Sequence, residues 1–296
     1  MRYLELGGTL YLPATRPDLV GIANGQRHPL ARSMVFCTED AIRAEEVGAA
    51  LENLRGVLPA VTPRPALRFV RPRSPQVLAQ ILAIPGVENL DGFVLPKANC
   101  ARFSQFLEVL DGHEHFLLMP TLETAETFDP AEMRALRRML EHEMVRPRIL
   151  SLRIGANDLL QLLGVRRSST RTIYETGLGS VIAMLAGVFK PHGFNLTAPV
   201  FEGLAHPDVL ASEVEQDLAH GLFGKTAIHP GQLAVIEAAY SVSADDLEMA
   251  RMVMHPDQPA VFRMHDIMCE RTTHAAWAEL ILARSRIYGV RGGEAT

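Results

Sequence analysis

The stretch "DGFVLPKANC", residues 91–100, sets the apolar run Phe93-Val94-Leu95 against a proline and then a lysine. A short apolar run bracketed by Gly92 and Pro96 fits a strand buried on both faces and is too short for a buried helix. The lysine is the unexpected part. Lys97, Lys190 and Lys225 are the only lysines in a chain with 29 Lys plus Arg, so arginine does nearly all the cationic work. An ammonium is a compact point charge that fits beside a carboxylate in a narrow mouth, where a planar guanidinium needs a wider fork.

Runs of the same kind recur on both sides of it. They are "GTLYLP" (8–13), "SMVFC" (33–37), "ALRFV" (66–70), "HFLLMP" (115–120), "LSLRIG" (150–155), "FNLTAPVF" (194–201) and "KTAIHP" (225–230). Between most of them lie stretches with apolar residues three or four apart, such as "AIRAEEVGAALENLRGVL" and "SVIAMLAGVFK", which predict helices. "SPQVLAQIL", "DPAEMRAL" and "HPGQLAVI" carry helix-start signals. Strand and helix in alternation mean parallel strands joined by crossover helices. Eight such units over roughly 240 residues predict an α/β fold of the (β/α)8 TIM-barrel type. An open doubly wound sheet is the competing architecture, but no Gly-rich phosphate loop follows an early strand. From residue 241 onward "SADDLEMARMVM" and "CERTTHAAWAELILARSRIYG" read as helical. The expected organisation is a barrel domain over 1–240 and a helical C-terminal extension over 241–296.

Composition narrows the function. A net charge of −5 over 296 residues gives no general basis for binding nucleic acid or membranes. Cys37, Cys100 and Cys269 are odd in number and lack metal-ligand spacing. The opening "MRYLELGGTLYLPA" has no basic segment followed by a long apolar one, and no run reaches membrane-span length. A cytoplasmic protein is expected.

A barrel places its chemistry at the C-terminal ends of its strands. Just past the eight runs stand Arg16, Glu39-Asp40, Arg68 with Arg71, Lys97, Glu123, Asp158, Glu202 and His229. One charged strand end is ordinary, but so many on one rim point to a site. Glu123 and Asp158 follow strands five and six, which are neighbours about 4.8 Å apart. Either the two carboxylates share a hard divalent cation of the Mg2+ kind, or each caps the helix that follows. His113 and His115 precede strand five, at the barrel's stability face, and read as structural or solvated. Arg166, Arg167 and Arg171 form either a solvated loop or a landing site for phosphate groups. Arg153 interrupts the apolar run of strand six with no account from sequence.

Several of these segments, taken in order, resemble the citrate lyase beta subunit and related HpcH/HpaI-type aldolases, in a divergent carbon–carbon bond lyase branch. They are "LYLPATRPDLV", "FCTEDAIRAEEVGAALENL", "LRFVRPRS", "GFVLPKAN", "MPTLETAETF", "RIGANDLLQLLGV" and "GLFGKTAIHPGQL", the last being the most specific, followed by "MHDIM". The likeness spans about residues 9–280. It departs from the family at Cys37-Thr38, at "LGS" (178–180) and in "MHDIM", where His265 precedes Asp266.

The resemblance implies a TIM barrel with Mg2+ held by Glu123 and Asp158, and Arg68 gripping the substrate carboxylate. It also implies a C-terminal segment covering a neighbouring subunit's site in a homo-oligomer, usually a trimer. On this reading Arg16, Lys225 and His229 bind substrate at the rim, His229 being equally placed to serve the helix start before Pro230. Lys97 holds the acidic cluster or a substrate oxygen, Glu39 and Asp40 orient metal-bound waters, and Asp266 is a general base delivered by a lid. The expected activity is Mg2+-dependent cleavage or formation of a C–C bond in a hydroxy acid derived from a 2-oxo acid, or in its coenzyme A thioester. The alternative is a non-catalytic or regulatory protein that binds a 2-oxo acid and metal. A phospho-substrate barrel is disfavoured by the lack of a Gly-rich phosphate loop after strands seven and eight.

Overall fold

Each of the eight apolar runs is a strand in the computed structural model, which describes residues 1–63, 65–264 and 266–291. The strands are β1 (Gly8–Pro13), β2 (Ser33–Cys37), β3 (Leu67–Arg71), β4 (Gly92–Leu95), β5 (Leu117–Leu122), β6 (Leu152–Ile154), β7 (Leu196–Thr197) and β8 (Lys225–Ala227). All pair in parallel in the order β7-β6-β5-β4-β3-β2-β1-β8, and a bridge between Ala198 and Lys225 nearly closes the ring. The expected barrel is what the chain forms.

Helices carry the chain back between strands: α1 (Leu19–Ala23), α2 (Val47–Val57), α3 (Pro75–Leu82), α4 (Cys100–Val109) and α5 (Pro130–Leu140). Two helices, α6 (Ala156–Leu162) and α7 (Leu178–Phe189), separate β6 from β7, and α8 (Pro207–Ala219) separates β7 from β8. The predicted caps are in place. Ser74 Oγ accepts from Val77 N at 3.2 Å and Asp129 Oδ1 accepts from Ala131 N at 2.7 Å, each satisfying an orphan donor of the first turn.

Side chains alternate across each strand, and this decides what enters the barrel. Val35, Leu67, Phe69, Val94 and Met119 meet in one cluster, with Tyr11 packed against it. These residues plug the ring, so the barrel is a packed core and not a pore. The parallel register places Gly92 between Phe69 and Leu117. A Cβ at Gly92 would lie 1.8 Å from Leu117 O, so two strands touch there through backbone alone.

The chain divides into two units, Arg2–Val235 and Ile236 onward, and the division falls inside α9 (Gly231–Tyr240). The second unit holds α10 (Ala244–Met254) and α11 (Arg271–Tyr288), which share a core of Val242, Leu247, Ala250, Val253, Ala278 and Ile281. It also holds an antiparallel hairpin, β9 (Val261–Met264) and β10 (Ile267–Glu270), where the sequence reads as helical with a break. The hairpin carries "MHDIM"; His265 lies outside the described residues. Among the described residues, no helix is long and apolar enough to cross a membrane.

Gly92→Ala is expected to destabilise the barrel by about 3 kcal/mol or more, since its methyl group meets backbone that cannot swing away. Chemical denaturation should show it, with Gly56→Ala as the control: Gly56 lies exposed in α2, its Cβ would meet nothing within 4 Å, and the substitution should stabilise by up to about 1 kcal/mol.

Candidate active site

Pro96 ends β4, and Lys97 follows in the left-handed region at φ +54, an uncommon conformation for a side chain with a Cβ. That turn aims its backbone N–H at Glu123 Oε1, 2.7 Å away. The Lys97 ammonium donates to Glu39 Oε1 at 2.9 Å and to Asp158 Oδ1 at 3.3 Å. One residue thus ties the ends of β2, β4, β5 and β6 together. Arg71, the last residue of β3, pairs through Nη2 with Glu39 at 3.1 Å and Asp40 at 3.3 Å, while its Nε donates to Cys37 Sγ at 3.1 Å. Arg73 donates to the Glu39 and Ile42 carbonyls and braces the acidic loop from behind.

These groups open onto a cavity of about 410 Å3, walled by Asp40, Arg71, Glu123 and Asp158 at the strand ends and by Tyr11 and Arg153 from inside the barrel. Glu202, also on its wall, accepts from Asn157 Nδ2 at 2.9 Å. The volume is that of a small-molecule site.

Burial sets the electrostatics. It pushes the Glu123 carboxyl up to about 8, with Asp158 and Glu39 adding repulsion that Arg71 and the Lys97 N–H only partly offset. Asp40 is pushed up to about 6 by burial and by its hydrogen bond with Glu39. Burial works on Glu39 in the same direction, yet Arg71 and Lys97 hold it below its ordinary value. Burial opposes the Lys97 ammonium, but Glu39, Glu123 and Asp158 keep its pKa raised.

The pair Glu123 and Asp158 suits a hard cation. Glu123 Oε2 and Asp158 Oδ2 have no hydrogen bond among the described residues, whereas the other oxygen of each is held by Lys97. A Cβ at position 155 would lie 2.2 Å from Glu123 Oε2, so Gly155 leaves the room in which that oxygen sits. Among the described residues no group of three or more His, Cys, Asp or Glu side chains could hold a metal. Two carboxylates with water and substrate oxygens completing the octahedron is a Mg2+ arrangement, not a closed protein cage.

Other expected site residues lie elsewhere. Arg68 faces out of the barrel, its Nε donating to Ala23 O at 3.1 Å and its Nη2 to Thr62 O at 2.7 Å. Alternation puts Leu67, Phe69 and Arg71 inside, so Arg71 stands where Arg68 was expected. Lys225 also points outward, fully buried between Glu213 at 2.9 Å and Asp217 at 2.8 Å on α8. His229 is exposed and accepts from Gly231 N at 3.1 Å, serving the start of α9. Arg16 is bound through Nε and Nη2 to Asp18 at 2.8 and 2.7 Å and does not line the cavity. Asp266 is exposed in the β9–β10 turn of the second unit. The cavity also brings in Tyr11, Thr121 and Arg153, which the choice of strand-end residues passes over and inward alternation would have found.

A parallel eight-stranded barrel with acids, a lysine and an arginine gathered at its C-terminal rim falls in the TIM-barrel class, whose sites are built at that rim. The chain belongs to the family described as C–C bond lyase of the TIM-barrel fold, whose model matches residues 1–290. It is 27% identical over 242 residues to a (3S)-malyl-CoA thioesterase of Cereibacter sphaeroides, covering 81% of this chain and 79% of that one. In structure it is similar to the Mycobacterium tuberculosis protein CitE in complex with magnesium, acetoacetate and coenzyme A. That match has a TM-score of 0.70 at 22% identity, covering 96% of this chain and 100% of the other. The citrate lyase beta subunit from the same organism, complexed with oxaloacetate and magnesium, matches with a TM-score of 0.59 at 22% identity, over 81% and 99% of the two chains.

Glu123 makes stability depend on pH in the metal-free protein. A carboxyl raised from 4.5 to about 8 keeps its proton in the folded state after the unfolded chain has lost it. Its contribution is therefore fully present below pH 4.5, declines as pH rises and is gone above about pH 8. In chelator, Glu123→Gln should match wild type near pH 4.5 and exceed it above pH 8 by on the order of 4 kcal/mol. Equal denaturation midpoints at both pH values would show that Glu123 ionises normally.

Proposed function

We propose that this chain is a carbon–carbon bond lyase that releases a 2-oxo acid from a hydroxy acid or from its coenzyme A thioester, with Mg2+ held by Glu123 and Asp158. The observation that carries this reading is the Glu123 carboxyl, buried, pushed up to about 8 and keeping one oxygen without a partner on the cavity side of Gly155. Burying a carboxylate is costly unless a cation neutralises it. Family membership and the magnesium named in the complexes of the structural neighbours support the same assignment.

In the cleavage direction the substrate hydroxyl gives up its proton, its C–O bond becomes the keto group of the 2-oxo acid, and the C–C bonding pair passes to the α-carbon of the acyl partner, which takes up a proton so that none is gained or lost overall. Bound Mg2+ supplies Lewis-acid polarisation of the substrate oxygens and stabilises the negative charge that develops on them. Arg71 meets the substrate carboxylate with a guanidinium already fixed by Glu39 and Cys37. Asp40 takes the hydroxyl proton, since it lines the cavity and titrates near neutrality, where a general base works best. It replaces Asp266 in that role within this chain. Lys97 holds Glu39 and Asp158 together across the mouth.

The thioesterase name of the sequence relatives favours a second reading in which the same site hydrolyses the thioester. Products separate the two: hydrolysis frees the coenzyme A thiol, whereas C–C cleavage yields a 2-oxo acid with the thioester intact.

Calorimetry with oxaloacetate, glyoxylate and pyruvate should show Mg2+-dependent binding by wild type that Glu123→Ala weakens by about 100-fold or more. Binding that ignores Mg2+, or none at all, would remove the metal site from the account. With a turned-over 3-hydroxy acyl thioester, kcat/KM is expected to rise with pH through about 6 as Asp40 loses its proton. Asp40→Asn should lower kcat about 100-fold and flatten that limb; an unchanged profile would exclude Asp40 as the base.

A further inference from the structure

The inner wall of the cavity carries a hydroxyl that the proposed chemistry does not use. Tyr11, in the middle of β1, stands in register with Val35 of β2, and its aromatic ring packs against the core cluster that fills the barrel. Leu10, Leu12 and Val35 are all buried, whereas Tyr11 is only partly so. Inside a filled barrel the remaining exposure is to the cavity, and Tyr11 lies on the cavity wall. A phenol that is part of a core usually finds a partner for its O–H. The Tyr11 hydroxyl makes no hydrogen bond among the described residues.

Charge holds that ring in place. The guanidinium carbon of Arg71 lies 5.4 Å from the Tyr11 centroid and that of Arg153 5.2 Å, both within reach of a cation–π attraction. Side chains of β3 and β6 thus fix a phenol of β1, so its hydroxyl is set before any ligand arrives. Burial pushes the phenol above its ordinary value of 10; Arg153 and Arg71 oppose this, and Cys37 and Glu123 add to it. The group is therefore a hydrogen-bond donor, not a phenolate, over the range in which Asp40 changes charge. The proposed chemistry leaves one oxygen without a protein donor. When the C–C bonding pair passes to the α-carbon of a thioester, negative charge spreads onto the thioester carbonyl oxygen, whereas Arg71 is engaged with the carboxylate and Asp40 with the hydroxyl.

We propose that Tyr11 is a catalytic residue whose hydroxyl donates a hydrogen bond to the thioester carbonyl oxygen of the substrate as negative charge develops there. Tyr11 keeps its proton throughout, so the balance of the reaction is unchanged. This rests on the thioester form of the substrate proposed above. The same donor would serve hydrolysis, in which attack by water places negative charge on that same oxygen. A phenol that merely packs against the core would leave turnover untouched when its oxygen is removed.

The test is turnover in Mg2+ of malyl-CoA and citryl-CoA, thioesters whose C–C cleavage yields glyoxylate and oxaloacetate, with 2-oxo acid and free thiol measured separately. It compares wild type, Tyr11→Phe and a protein carrying 3,5-difluorotyrosine at position 11. Tyr11→Phe should lower kcat about 100-fold, the loss that follows removal of one such donor, with KM and the calorimetric affinity for glyoxylate within about twofold of wild type. Difluorotyrosine keeps the hydroxyl but gives up its proton more readily, so its kcat should match wild type in mildly acidic solution and fall behind as pH rises. An unchanged kcat in Tyr11→Phe, or a loss matched by weaker glyoxylate binding, would overturn the proposal and leave the lyase reading standing. Free thiol in place of a 2-oxo acid from wild type would overturn the lyase reading. A Tyr11→Phe loss in that hydrolysis would then sustain the donor role, and no loss would overturn both. No turnover of either kind by wild type would also overturn both. If Tyr11→Phe fails to fold, the difluorotyrosine protein decides, and a pH profile parallel to wild type counts against Tyr11.

Discussion

The hydrogen bond from the Lys97 backbone N–H to Glu123 Oε1, at 2.7 Å, is the contact on which the mouth of this barrel depends. It requires Lys97 to sit at φ +54, a conformation that costs a residue with a Cβ about 1 kcal/mol. The same turn throws the side chain across the mouth to Glu39 and Asp158. Backbone and side chain of one residue therefore fix three acids that mutual repulsion would otherwise drive apart. A glycine would adopt the turn more cheaply but would leave Glu39 and Asp158 unbridged. An arginine would bring a wide planar fork to a gap that a single nitrogen spans.

Charge is divided unevenly within that cluster. Arg71 and Lys97 hold Glu39 ionised, so their compensation is spent largely on it. Glu123 is also favoured by Arg71 and the Lys97 N–H, but burial and the neighbouring acids outweigh them and it keeps its proton until about pH 8. The site is thus short of positive charge at one named carboxyl, on the side where Gly155 leaves room. This is the condition in which a cation binds with a large electrostatic gain, because an ionised Glu123 has little else to neutralise it.

Eight strands and their order were legible because each is a short apolar run between breakers, and alternation with helices allows few topologies. The rim was legible as a rim. Which residue of each strand end faces the cavity was not, because that depends on a period of two that slips with one residue. Arg68 and Arg71 lie on opposite faces of β3, and choosing between them needed Phe69, which packs inside the barrel, as the marker. Arg153 interrupts an apolar run for the same reason: it aligns with Thr121 and Thr197 on the inner face. The β9–β10 hairpin was lost because its strands, four residues each, lie between two strong helical patterns.

The scarcity of lysine marked two strand ends, and the structure gives them opposite meanings. Lys97 bridges acids at the solvent-lined mouth. Lys225 lies in the outer layer, where Glu213 and Asp217 of α8 close on it and Arg167 pairs with Glu213 behind them. Removing one member of such a buried set leaves an uncompensated charge and costs about 3–5 kcal/mol, so Lys225 is held by the fold and not by a ligand. What the two positions share is geometry: each offers a slot one nitrogen wide between two carboxylates. Rarity in this sequence therefore reports the shape of the slot, and only the face of the strand on which the slot lies separates chemistry from scaffold.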